Sequence, residues 1–102
     1  MTIYTVEVEG RPVAAMQSAS LGEAEEFLLG DAFATDLTIY EMQGGEPGKA
    51  IWDGEAEIFV RESFPEEIEI WERFRAKAVL EGDTDPDDEN FVTFLRPVRE
   101  IE

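Results

Sequence analysis

The apolar residues of this chain change their period along its length, and that change constrains the fold more than any other feature. From Ile3 to Glu9 they alternate, with Tyr4, Val6 and Val8 on one side and Thr5, Glu7 and Glu9 on the other. Such alternation belongs to a half-buried strand. From Phe64 onward the period becomes helical, through Ile68, Trp71, Phe74 and Ala78. A single chain of 102 residues therefore has to pack sheet against helix around one core.

Turn and cap signals divide the rest. Glu9-Gly10-Arg11-Pro12 reads as a tight turn, and Val13 to Ser18 as the returning strand of a hairpin. Ser20-Leu21-Gly22-Glu23 has capping-box spacing, with Leu21, Ala24, Phe27 and Leu28 following at helical spacing and Gly30 as a stop. Leu37 to Met42 reads as a third strand, ahead of a loop over Gln43 to Gly48. Ala50 to Trp52 and Ala56 to Arg61 read as extended segments around an Asp53-Gly54 turn. A second capping box at Ser63-Phe64-Pro65-Glu66 opens a helix running to about Glu81, before Gly82. Phe91 to Leu95 is nearly continuous apolar strand, ended by Pro97. The expectation is an α+β fold, β-β-α-β-β-α-β, with a mainly antiparallel or mixed sheet and two helices packed on one face. Residues 1–102 are read as one domain with an acidic loop at 83–90.

Composition narrows the chemistry. There is no His and no Cys, and 25 Asp+Glu face 8 Lys+Arg for a net charge of −17. Imidazole bases, thiol nucleophiles, disulfides and His- or Cys-ligated zinc are thereby excluded. Phosphate backbones and acidic membrane surfaces repel such a chain, so direct nucleic-acid or membrane binding is not expected. No leader-like or membrane-spanning run is visible, which gives a cytoplasmic expectation.

Several residues are candidates for a site. Asp83, Asp85 and Asp87 imitate the start of a calcium loop, but Asp88 stands where the sharp turn needs Gly and Phe94 where it needs a bidentate Glu. They are weak metal candidates, and no cofactor is expected. Arg75 falls inside the apolar stripe of the long helix, where it has to snorkel, pair with a carboxylate or stack on Trp71. Ile70 and Phe74 widen that stripe, which a second subunit would cover, so a homodimer is compatible with the pattern. Trp52 beside the Asp53-Gly54 turn, together with Asp88 and Glu89 in the acidic loop, completes the interaction candidates.

The reading that follows is a small acidic, non-enzymatic interaction module of adaptor, inhibitor or immunity type, binding a basic partner protein. The alternatives are a ligand-binding or catalytic pocket between sheet and helices, supplied by Tyr4, Tyr40, Arg61, Arg75 and Arg96, and a structural or stress-related acidic protein. Nucleic-acid mimicry ranks lower. Seventeen net charges over ~5,800 Å² give about one per 340 Å², against about one per 110 Å² on DNA. The acids are also spread along the chain, with net −7 in residues 1–51 and −10 in residues 52–102.

Overall fold

A computed structural model describes residues 2–42, 48–85, 91–96 and 98–100. Strands β1 (Thr2–Val8) and β2 (Arg11–Ser18) form the expected hairpin, joined by only Glu9 and Gly10. Both residues have positive φ, +54° and +77°, as a primed two-residue turn requires. Gly10 adopts this without cost, whereas Glu9 carries a Cβ into the left-handed region.

After the hairpin, helix α1 (Leu21–Leu28) starts where expected, with Ser20 Oγ accepting from the Glu23 N–H at 3.2 Å. Gly30 is not simply a stop. It is the N-cap of a further helix, α2 (Asp31–Ile39), and a Cβ there would lie 2.7 Å from the Glu26 carbonyl. The third strand accordingly shrinks to β3 (Tyr40–Met42). Leu37 belongs to α2, where Phe33, Ala34 and Leu37 are buried at helical spacing.

The expected extended segment at Ile51 and Trp52 is tied to the end of α2, through Trp52 N–H to Leu37 O and Ile51 N–H to Tyr40 O. Asp53 Oδ1 then accepts from the Glu55 and Ala56 N–H groups and turns the chain into β4 (Ile58–Glu62). Helix α3 (Pro65–Leu80) begins one residue later than the Ser63 box implies. Glu67 Oε1 accepts from the Phe64 N–H, and Ser63 Oγ bonds Thr5 Oγ1 instead. Strands β5 (Val92–Phe94) and β6 (Val98–Glu100) complete the described chain.

The principal sheet is antiparallel, in the order β4-β1-β2-β5, and β3 pairs with β6 in a separate ribbon. The α+β class and antiparallel sheet are those expected. The helices differ from expectation in number and in side. Tyr4, Val6, Val8, Ala14 and Met16 pack with Ala24 and Leu28 of α1 and with Phe33 and Leu37 of α2. The intervening side chains face the other way: Ala15 packs with Trp71 and Leu95, Ile3 against them, and Thr5 bonds Glu67 of α3. Because successive residues of a strand point to opposite faces, α1 and α2 cover one face and α3 the other. This explains why Val13 to Met16 are all buried. A β-bulge at Val13, where Val6 pairs with Ala14 but Glu7 with Pro12, adds Val13 to the larger core and accommodates the proline.

Candidate functional site

The most polar buried constellation lies where β1, β4 and the start of α3 meet. Arg61 on β4 and Thr5 on β1 are register partners, so both project toward α3. Pro65 opens α3 and places Glu67 in its first turn, directly over them. Arg61 Nη1 and Nη2 donate to Glu67 Oε1 and Oε2 at 2.7 and 2.8 Å, a two-pronged pair. Thr5 Oγ1 donates to Glu67 Oε1 at 3.1 Å, and the Phe64 N–H does so at 2.8 Å. Glu7 Oε1 lies 3.1 Å from Arg61 Nε, an ion pair without hydrogen-bond geometry. The guanidinium also sits 3.9 Å from the centre of the Phe64 ring.

This arrangement fixes the ionisation of its members. Burial pushes the Glu67 carboxyl up, but the Arg61 guanidinium, the Phe64 N–H and the Thr5 hydroxyl outweigh it and hold the group below its ordinary value. The Glu67 hydrogen bond likewise raises Arg61 against the opposing effect of burial. All four polar groups are committed to one another, so the cluster holds the sheet to α3 and offers no free acid or base. Its signal in the sequence was weak: Glu67 bordered the apolar stripe, and Arg61 followed Phe59 at strand spacing.

The five residues proposed to line a common pocket do not converge. Tyr4 is buried in the core with α1 and α2, Arg61 is held by Glu67 on the opposite face, and Arg96 is exposed. A cavity between the β1–β2 turn and Met42, Lys49 and Ile51 has a volume of only about 70 Å³, and the larger space of about 350 Å³ beside Arg75 is an open groove that contains none of the other four.

Arg75 lies half-buried with its guanidinium 5.8 Å from the Trp71 ring centre, in an open groove with Gln17, Glu72 and Ala76. Trp71 itself is core, and its Nε1 donates to Phe91 O. Ile70 packs on the same core, so its position off the stripe is explained within the chain. Phe74 is 36% exposed beside Lys77, Glu81 and Phe91. Trp52 is half-buried against the larger core with its Nε1 bonded to Ala56 O, an anchor for the turn before β4. Asp83 and Asp85 are exposed; Asp87, Asp88 and Glu89 lie outside the described residues. Among the described residues no group of three or more acids is placed to hold a metal ion.

Two surface features remain. Every acid whose side chain is described, except Glu7, Glu41 and Glu67, is exposed. Along β4, Phe59 is 40% and nearby Phe64 55% exposed, flanked by exposed Glu55, Glu57 and Glu62. No helix among the described residues is long and apolar enough to cross a membrane. In comparisons with protein-family models, with curated proteins and with solved structures, nothing matches this chain.

Proposed function

We propose that this chain is a small, non-enzymatic acidic interaction module that engages a basic partner protein. The observation that carries this reading is where the acids are. Among the acids whose side chains are described, Glu7, Glu41 and Glu67 are withdrawn from full exposure, and Arg61 is consumed in neutralising two of these. The surplus thus stays on the outer surface, where complementary charge speeds encounter and selects partners. Imitation of nucleic acid is less well supported. The accessible surface of 6384 Å² carries about one net charge per 375 Å², more than threefold more dilute than DNA.

The test is partner capture resolved by salt. Immobilised protein should retain one partner at saturable stoichiometry and release it near ~0.3 M salt, where screening shortens the reach of surface charge. Retention only of abundant basic proteins, in substoichiometric amounts and without saturation, would sink the reading.

A further inference from the structure

We propose that the outer edge of β4 is a docking lane for an extended basic segment of the partner, which adds as a further strand beside β4. This rests on the acidic-module reading and specifies how the partner is held. Ser63 N–H donates to Ile3 O and Glu9 N–H to Glu57 O, at the two ends of a ladder whose register is constant. In an antiparallel ladder such pairs alternate, so residues 57, 59, 61 and 63 turn their main-chain groups toward β1. Those of Ile58, Val60 and Glu62 therefore point outward. Among the described residues only the Glu62 carbonyl has a partner there, Arg61 Nη1.

Open edges are usually blunted by shortness, proline, a bulge or lysine. The opposite edge, β5, is only three residues long. β4 has five, extended by its flanks, with no Pro, Gly, Lys or bulge among them. Its side chains also suit a particular occupant. On the α3 face, Phe59 and Phe64 present exposed rings, and Arg61 beside them is already neutralised by Glu67 and Glu7. Glu57 lies on the Phe59 side of the strand and Glu62 on the Val60 side, both exposed. A strand alternating Lys or Arg with apolar residues would satisfy the backbone and lay its stems and charges over the rings on the α3 face, beside Glu57. A second copy of this chain fits less well. Pairing β4 with itself would set two chains of net charge −17 side by side, so overall repulsion opposes it.

The test compares three short synthetic peptides by fluorescence anisotropy with the intact protein at low salt. One alternates Lys and Val, the second replaces its alternate Val residues with Pro at equal charge, and the third replaces Lys with Thr. The Lys/Val peptide is expected to bind saturably and the Pro peptide at least about tenfold more weakly, because proline removes the main-chain donors and the strand conformation. Equal binding of those two overturns the edge lane while leaving the acidic-module reading intact. Thr/Val binding as tight as Lys/Val overturns the selection for a basic segment, and with it that reading. No binding by any peptide overturns the proposal, as does a dimer in sedimentation that Phe59→Lys dissociates.

Discussion

Replacing Arg61 with Met removes the cation paired with two inward carboxylates, Glu7 and Glu67. Glu67 would keep just the Phe64 N–H and the Thr5 hydroxyl, in a site where its residue is 7% exposed. Breaking a buried pair by deleting one partner costs about 3–5 kcal/mol, mostly the penalty of an uncompensated charge. The Arg61 side chain is 19% exposed, so solvent already screens part of the interaction and the lower end applies, about 3 kcal/mol. For a domain of ordinary stability, about 5–15 kcal/mol, that is a large fraction, and it corresponds to a fall in Tm of about 15 °C. Urea melts followed by Trp71 and Trp52 emission measure it. Adding Glu67→Leu removes the stranded charge as well. The double variant should therefore lose less than the sum of the single variants, with a coupling of about 2 kcal/mol. A single-variant cost below about 1 kcal/mol, or additivity within ~0.5 kcal/mol, would refute the reasoning that the cluster ties sheet to helix by buried charge.

Other expectations test separate parts of the account. Glu67 is held below its ordinary value of 4.5, so its contribution is full above that pH and is lost as pH falls through the lower folded-state value. The stability difference between wild type and Glu67→Gln should shrink on acidification below pH 4.5. Taking a difference matters, because protonating the many exposed acids relieves repulsion and acts with the opposite sign; a difference flat with pH would contradict the assignment. Glu9→Asn should stabilise by about 1 kcal/mol in the same melts, since Asn tolerates the left-handed turn position better, and no gain would count against strain there. Gly30→Ala should destabilise, because the new methyl meets the Glu26 carbonyl at 2.7 Å; an unchanged midpoint would contradict the close α1–α2 corner. Trp71→Ala should cost about 3–5 kcal/mol by emptying the core beneath α3, whereas a cost near 1 kcal/mol would mean that α3 is only loosely docked.

How much was legible in the sequence depended on whether the deciding interaction was local. The hairpin was, because alternation and a two-residue turn are local. The Ser20 cap was too, since its bond reaches only to Glu23. Helix α2 was missed because Thr38, Ile39 and Tyr40 favour strands, while burial of Phe33, Ala34 and Leu37 against the sheet decided the outcome. The start of α3 slipped by one residue because Ser63/Glu66 and Phe64/Glu67 offer overlapping frames. The choice was made by Arg61, a partner on another element. Helix sidedness had a readable signal, the unbroken apolar run Val13 to Met16, which a sheet bare on one face would not carry. Strand order has no such local signal, so neither the open edge of β4 nor the exposure of Phe59 beside it followed from the sequence.

Backbone amide exchange, followed by NMR on the protein with and without the Lys/Val peptide, tests the docking of a basic segment most directly. Exchange is expected to slow at Ile58, Val60 and Glu62, whose N–H groups point outward. Phe59 and Arg61, already bonded to β1, should change little. Unchanged exchange at all three outward amides in a peptide-saturated sample would contradict it, even with shifts spread across the exposed acids of α1 and α3.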